Sequence, residues 1–388
     1  MIKGNKGEWS EIYVFLKLLA DGKLHAADAN LNIIPGVYYP IIKILRQEAL
    51  SRREFLINGD IEIIDGNTDL KIVTFPILDF IQKSKELFNN LKKSSGRSFS
   101  FSSIESFLDS IDVKSLTALK TDKADIKIVV HDMNTGLKPT LGFSIKSMIG
   151  KDSTLFNPAA GTNFIYKIET PVGYTIDYKK INAETLTISE TKKNLSKIAL
   201  RLNELENLNC KIIFQKIQSD NLELNLQLID SQLPEILSHL IYYKFKTGKS
   251  NLRDLVNEIK IKNPLNFNIT KGHPFYDYKI QNFLVESAVG MTPESVWTGK
   301  YDATGGIIIV KSNGDLVCYH IYNRNEFEDY LINHTKLEQA STSEDELNPG
   351  FAKSKTSSST PKPYKFGWIY EENNELFIKL NLQIRFIK

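Results

Sequence analysis

Apolar side chains recur at helical spacing near the N-terminus of the chain. Through residues 7–21 they stand three or four positions apart, the spacing of one face of an α-helix. Gly22 follows them and fits a C-terminal cap, because glycine adopts the left-handed conformation of that position without strain. The sequence therefore predicts an amphipathic helix over 7–21. Its apolar face consists of Trp9, Ile12, Phe15, Leu16 and Leu19.

The next part of the chain predicts strands followed by a helix. Residues 38–47 form another short apolar-periodic stretch. Apolar runs at 54–64 and 70–74 indicate strands, separated by the turn residues at 65–67, Asp-Gly-Asn. The remaining elements of this part are a predicted helix at 78–92 and a serine-rich loop at 94–103.

The clearest local pattern lies between residues 125 and 148. A β-branched run at 126–130 precedes the turn residues Asn134, Thr135 and Gly136, and a second apolar run follows at 141–148. This order predicts an antiparallel hairpin.

The second half of the chain changes character near residue 264. Residues 184–260 are mostly helical in pattern, whereas the chain from 264 onward is predicted to be rich in strands. The predicted elements there are a hairpin at 306–311 and 316–322 around Asn313-Gly314, a flexible loop at about 339–363 and a strand at 376–387.

Composition excludes several classes of protein. The chain has 388 residues, enough for one large domain or two to three smaller ones. The net charge of +3 permits a nucleic-acid partner without requiring one. Two cysteines are too few for a disulfide framework or a zinc cluster. No apolar run reaches the roughly 18 residues of a membrane span, and no secretory signal is visible, so we expect a cytoplasmic protein without a membrane partner.

Common catalytic motifs are absent from the sequence, but the hairpin at 125–148 contains residues that could catalyse phosphodiester cleavage. Ser144 and Lys146 are two residues apart in a strand and therefore share a face. If the turn centres on 134–135, Asp125 falls opposite about Ile145 and lies near Lys146. A carboxylate can hold Mg²⁺, and a lysine beside it can orient the attacking water in phosphodiester cleavage. The alternative is an exposed salt bridge at the strand edge, which is far more common for such a pair.

The N-terminal helix offers a second acid. Glu11 stands four and seven residues before Phe15 and Leu18, so it faces inward. Buried carboxylates are rare unless they are paired or bind a metal. The alternative is that Glu8 and Glu11 are first-turn acids favoured by the helix dipole.

Several longer sequence words stand in order along nearly the whole chain. The words are GNKGEWSEIY at 4–13, FLKLLADG at 15–22, GFSIKS at 142–147, STLFNPA at 153–159, TNF at 162–164, ATGG at 303–306 and KLNLQIRF at 379–386. In these words the chain resembles the HpaII family of type II restriction endonucleases. The segment from Lys3 to Glu11 is also similar to an element of the mismatch-repair nuclease MutH and its relatives.

The resemblance implies an α/β (α+β) fold of the PD-(D/E)XK nuclease type. A mixed sheet would be flanked by helices, with a helical insertion and a β-rich C-terminal region. The implied division is a catalytic core at 1–180, a helical region at 181–263 and a DNA-recognition region at 264–388.

The resemblance also implies site residues. Asp125 would be the first metal ligand, Lys146 the motif lysine, and Glu11 the helix-borne acid that binds the metal, with Glu8 as the fallback. Ser144 stands where Asp or Glu is usual, which leaves the second ligand open.

Polar residues elsewhere are candidates for DNA contact. Asn157, Thr162 and Asn163 could hold the hairpin or contact phosphate, or could belong to a polar loop that caps a helix. Lys3 and Arg324 are further candidates, and Arg324 could read guanine or be structural.

The implied activity is Mg²⁺-dependent cleavage of double-stranded DNA at CCGG, blocked by a companion DNA methyltransferase that acts on the same site. The sequence leaves open whether one subunit or a homodimer cuts. Two alternatives remain: a catalytically inactive DNA-binding module, which the missing acid at Ser144 keeps in view, and a MutH-like nicking repair endonuclease.

Overall fold

The computed structural model describes residues 2–49, 51–117, 124–133, 135–191, 196–339 and 366–387. Within this part of the chain, no helix is long and apolar enough to cross a bilayer. The predicted loop at 339–363 falls, apart from Gln339, outside the described residues, as does Asn134 of the predicted turn.

In the N-terminal third one helix is followed by five strands and then by two helices, and helices dominate the middle. The helices are α1 Lys6–Asp21, α2 Ile77–Lys93, α3 Ser102–Ser110, α4 Tyr178–Thr191, α5 Lys197–Asn207, α6 Asp220–Ile229, α7 Leu233–Thr247, α8 Leu252–Lys262, α9 Phe275–Val289 and α10 Arg324–Asn333. The strands are β1 Lys23–Ala27, β2 Ile33–Gln47, β3 Arg52–Asn58, β4 Asp60–Asp65, β5 Lys71–Phe75, β6 Ile126–Val130, β7 Thr140–Ser147, β8 Thr154–Phe156, β9 Asn163–Glu169, β10 Lys211–Ile217, β11 Gly306–Val310, β12 Leu316–Tyr319, β13 Thr335–Leu337, β14 Ile369–Glu372, β15 Glu375–Asn381 and β16 Ile384–Phe386.

The central element is a mixed nine-stranded sheet in the order β1-β12-β11-β7-β6-β2-β3-β4-β5. The pairs β1–β12 and β11–β7 are parallel, and the other neighbours are antiparallel. The long strand β2 pairs with β1 through its first part and with β6 through its second part. Because β1 also pairs with β2, the six strands β1, β12, β11, β7, β6 and β2 form a closed ring of strand pairs. Two smaller sheets have the orders β10-β9-β15-β14 and β13-β16-β8.

Strand β11 shows how the sheet separates two apolar cores. Ile308 and Val310 pack into a core that contains α1 and α2, whereas Ile307 and Ile309 pack into a core that contains α9. Successive strand residues point to opposite faces, so all four can be buried. Helices therefore cover both faces of a mixed sheet, and the predicted α+β class is confirmed.

Many local predictions are confirmed. Helix α1 covers 7–21 and ends at Gly22, which has the left-handed φ of +64°. Helix α2 covers the predicted 78–92. The hairpins β6–β7 and β11–β12 form as predicted.

Other predictions are wrong at element boundaries. The predicted strand at 54–64 is two strands, because Gly59 turns the chain with φ of +75° between β3 and β4. The predicted strand at 376–387 is likewise split into β15 and β16. The apolar-periodic stretch at 38–47 belongs to the long strand β2.

The pattern also missed elements. Strand β10 interrupts the region predicted to be mostly helical, and α9 and α10 lie in the region predicted to be rich in strands. The sheet takes β11 and β12 from residues beyond 264, so strands from both ends of the chain share it. The three-part division of the chain stays a prediction.

Candidate active site

A cleft of about 630 Å³ opens between the start of α1 and the segment that follows β7. Both Glu11 and Lys146 line this cleft. The buried hydroxyl of Ser10 donates a hydrogen bond to Ser147 Oγ at 2.9 Å, which joins the helix to the strand. This contact holds the backbone segments of Glu11 and Lys146 together, and the shared lining of the cleft places the two predicted site residues in one region.

Glu11 lies where its predicted inward direction requires. Phe15 and Leu18, one and two turns further along α1, are buried. The Oε2 atom of Glu11 is shielded from solvent. The acid therefore reaches the cleft from a helix whose other inward residues form the core.

Glu8 has a different role. Its Oε2 atom accepts the backbone N–H of Asn5 at 2.7 Å, and Asn5 Oδ1 accepts the N–H groups of Gly7 at 2.7 Å and Glu8 at 3.1 Å. This reciprocal pattern is a capping box, which satisfies donors that a helix start leaves without partners. The first-turn alternative describes Glu8, and Glu11 is the acid of the cleft.

Asp125 is tied to the strand that carries Lys146. Its Oδ2 atom accepts hydrogen bonds from Ser144 Oγ at 3.1 Å and from the backbone N–H of Ile145 at 2.7 Å. The pairing of Ile126 with Phe143 places Asp125 opposite Ser144, so the predicted partner Ile145 was wrong by one residue. The expected turn centre was right, and the error lay in extending the register from it.

A buried ion pair lies at the end of β2, the strand that pairs with β6 on the side away from β7. Arg46, in β2, bonds through Nε to Glu48 Oε1 at 2.6 Å, and Ser115 Oγ donates to Glu48 Oε2 at 2.7 Å. The Arg46 guanidinium also lies 5.7 Å from the ring centre of Phe15, on the helix face that presents Glu11. Burial lowers the pKa of Arg46, while Glu48 and, more weakly, Glu11 oppose that shift by stabilising the cation.

The cleft therefore combines Glu11 from a helix and Lys146 from a strand. Asp125 is not one of its lining residues and is joined to that strand by its bonds to Ser144 and Ile145. Within the described residues, no group of three or more His, Cys, Asp or Glu side chains is arranged to hold a metal ion.

Comparison with known proteins decides the family. A family model described as HpaII restriction endonuclease matches residues 5–351. The type II restriction enzyme HpaII of Haemophilus parainfluenzae is 40% identical over 385 residues, which cover 99% of this chain and 98% of that protein. The chain belongs to the HpaII restriction endonuclease family. The prediction of a type II restriction endonuclease, a site-specific deoxyribonuclease, is thereby confirmed. No solved structure matches the chain.

Two of the predicted DNA contacts in this HpaII-family chain are fully buried. Asn381 Nδ2 donates to Asn163 Oδ1 at 2.7 Å and to Thr162 Oγ1 at 3.0 Å. Asn163 Nδ2 donates to Gln218 Oε1 at 3.0 Å. The bonds from Asn381 tie the start of β9 to β15, so the side chains of Thr162 and Asn163 hold the local structure and expose no surface to DNA.

The other predicted DNA contacts differ in exposure. Asn157 and Lys3 are exposed. Arg324 is half-buried and already bonded, through Nε to Glu328 Oε1 and through Nη2 to Asn282 Oδ1, both at 2.6 Å. These bonds favour the structural alternative for Arg324, and base reading by it would require them to break.

The sequence patterns missed the other cations of the cleft in this family member. Lys6, Arg97 and Lys151 line it together with Lys146. Lys6 belongs to the sequence word GNKGEWSEIY, and that word was the one sequence feature that could have pointed to Lys6 as a residue of the cleft. Arg97 and Lys151 lie in separate loops, for which the linear sequence gives no spacing rule.

Proposed function

We propose that the chain cleaves double-stranded DNA at CCGG with Mg²⁺ as cofactor, using a PD-(D/E)XK-type site made of Glu11, Asp125 and Lys146. Family membership supports the reaction class and the target. The Ser10–Ser147 hydrogen bond carries the assignment of the site, because it joins the helix of Glu11 to the strand of Lys146 within one cleft.

The donor set fits a hard divalent cation. Glu11 and Asp125 supply carboxylate oxygens, and Mg²⁺ is commonly held by one or two carboxylates together with water and substrate phosphate. When bound, Mg²⁺ polarises the scissile phosphate and activates a water.

Each protein group has a distinct task in this proposal. Glu11 and Asp125 hold the cation at the cleft. Ser144 replaces the usual acid and orients the Asp125 carboxylate by its hydrogen bond instead of binding the cation. Lys146 orients the attacking water and stabilises the charge that develops on the phosphate.

The proposal includes two partners beyond the DNA. A companion methyltransferase would modify the same site and block cleavage, because a methyl group in the major groove obstructs close base contact. A homodimer would let each subunit cut one strand.

Cleavage of an unmethylated plasmid that contains CCGG tests the proposal. With Mg²⁺ we expect discrete double-strand ends at CCGG, and no cut with EDTA or on a plasmid methylated at that site. Ends at another sequence would overturn the target. Nicks alone would support the MutH-like alternative, and tight binding without any cut would support the inactive DNA-binding module.

A further inference from the structure

Three cations line the cleft without a side-chain partner among the residues that the structure describes. Many lysines of this chain are paired, for example Lys336 at 2.6 Å with Asp152, which also lines the cleft. By contrast, the side chains of Lys6, Arg97 and Lys151 make no hydrogen bond or ion pair with any described residue. Their positive charge is therefore not neutralised from within the described chain. We refer to these three residues as the rim cations.

Backbone contacts bring two of the rim cations together. Gly4 and Phe99 exchange hydrogen bonds, with Gly4 N to Phe99 O at 3.0 Å and Phe99 N to Gly4 O at 2.8 Å. Lys6 stands two residues after Gly4, and Arg97 two residues before Phe99. This bridge fixes the loop of Arg97 against the start of α1.

The third rim cation approaches from the opposite wall. A methyl group placed on Gly150 would lie 2.7 Å from Lys6 Cδ, so the Lys6 stem lies over Gly150, next to Lys151. Ser153 holds this loop by donating through Oγ to Ser147 O at 2.8 Å and by accepting the Ser147 N–H at 3.2 Å. The positions of the rim cations are thus set by the fold.

We propose that Lys6, Arg97 and Lys151 bind the backbone phosphates of one DNA strand on either side of the scissile phosphate. This inference rests on the proposed function, because it names what the same cleft binds beyond the reacting group. We expect an anionic ligand, since the cleft is lined by three cations whose side chains have no partner among the described residues, and its two lining acids are fewer than its four lining cations. Its volume falls in the range of single small-molecule sites, so it admits a length of one strand's backbone and not a whole duplex.

Phosphate contact predicts a particular signature. Each neutralised phosphate releases counterions, so the logarithm of the binding constant falls with the logarithm of salt concentration by about 0.9 per contact. Such contacts carry no sequence information, so their loss weakens binding to cognate and non-cognate duplexes alike.

The test measures DNA binding without divalent cation as a function of salt. The variant combines Lys6→Gln, Arg97→Gln and Lys151→Gln, and it is compared with wild type on a duplex with CCGG and one without it. We expect the slope of the logarithm of the binding constant against the logarithm of salt concentration to become shallower by about 2.7, because three contacts are lost at about 0.9 each. We also expect an unchanged ratio of the affinities for the two duplexes. The melting temperature should stay near that of wild type, because the three side chains have no bonded partner among the described residues.

The control removes the same charge from paired lysines. It combines Lys17→Gln, Lys114→Gln and Lys249→Gln, whose partners are Asp21 at 2.8 Å, Asp109 at 2.6 Å and Glu258 at 2.8 Å. The inference would be overturned if the salt dependence of binding changed no more in the rim variant than in this control. It would also be overturned if the rim variant lost affinity only for the duplex that contains CCGG. Plasmid cleavage is scored separately. A shallower slope with no cleavage at CCGG by wild type would overturn the proposed function and leave phosphate binding by the rim cations standing.

Discussion

The hydroxyl of Ser10 donates to Ser147 Oγ at 2.9 Å across 137 positions of sequence, and each serine adjoins a proposed catalytic residue. Ser10 Oγ also lies 2.7 Å from Lys6 O within its own helix, so its single proton is shared between two acceptors. We predict that Ser10→Ala lowers plasmid cleavage about tenfold or more, because small misplacements of reacting groups cost up to about 100-fold. Ser106→Ala is the matched control, since Ser106 makes the intrahelical bond to Ser102 O without a second element. Equal cleavage by both variants would refute the positioning role.

Substitutions of the two acids in the first helix should affect different properties, with Glu11 needed for cleavage and Glu8 for stability. We expect Glu11→Gln to lower cleavage about 100-fold or more, since a metal ligand loses its charge. Glu8→Gln should cleave like wild type, whereas Glu8→Ala should lower the free energy of unfolding by about 0.5–2 kcal/mol through loss of the capping box. Plasmid cleavage and urea unfolding measure the two effects. The reverse assignment would be correct if Glu8→Gln lost activity and Glu11→Gln kept it.

The hairpin variants test the division of tasks around Asp125. Asp125→Asn keeps an oxygen that can accept from Ser144 and Ile145 but removes the charge, so we expect cleavage to fall about 100-fold or more with DNA affinity nearly unchanged. Lys146→Ala should likewise lower cleavage about 100-fold or more with DNA affinity nearly unchanged.

Ser144→Ala removes one of the bonds that orient the Asp125 carboxylate. We expect it to lower cleavage about tenfold, given a net contribution of about 1.5 kcal/mol or more for a bond to a charged group. Single-turnover cleavage and filter binding distinguish these outcomes, and wild-type cleavage by Asp125→Asn would exclude this site.

The buried ion pair of Arg46 and Glu48 should dominate the stability of this region. Arg46→Met leaves the Glu48 carboxylate buried without its guanidinium, which typically costs about 3–5 kcal/mol. Arg53, opposite Arg46 in the sheet, pairs with the more exposed Asp65 and Asp112, so Arg53→Met should cost about 1 kcal/mol.

Urea unfolding measures both losses. Adding Glu48→Leu to Arg46→Met should recover much of the stability, because no charge then stays buried alone. Equal losses for Arg46→Met and Arg53→Met would contradict the account.

His320 should make stability depend on pH in the acid range. Its ring is buried against Tyr39 and Tyr322, and its Nδ1 accepts the Tyr322 N–H at 3.0 Å. Burial lowers the pKa of His320 from 6.5 to about 4, and Asp132 opposes part of this shift. The unfolded chain takes up a proton near pH 6.5, whereas the folded chain does so near pH 4. His320 therefore makes stability fall as pH drops across this window, by up to about 1.4 kcal/mol per pH unit.

The variant His320→Asn isolates this contribution. Asn keeps an acceptor near the position of Nδ1 and does not titrate, so its stability should fall less between pH 6.5 and pH 4. Replacement of His273, which is exposed, should leave the pH dependence as in wild type. Thermal unfolding at several pH values gives the comparison, and parallel curves for wild type and His320→Asn would refute the prediction.

The sequence by itself determined the elements whose signals are local. Helix α1 has an amphipathic stripe and a glycine cap, and the two hairpins have β-branched runs around turn residues, so neighbours in sequence specify them. Helix α9 was missed because it is buried on nearly all sides and lacks the polar stripe that marks a surface helix. The long sequence words gave the family, since their specificity does not depend on the fold.

Tertiary structure decided which of these residues meet. Long-range contacts pair β2 with both β1 and β6, bond Ser10 to Ser147, and close the Arg97 loop on Gly4. Local periodicity marks Glu8 and Glu11 alike as acids of the first helix, but the capping box and the cleft give them different tasks. The rim cations come from three separate segments, so no spacing rule could have joined them. Such contacts depend on packing between distant segments, which hydrophobic periodicity along the chain does not encode.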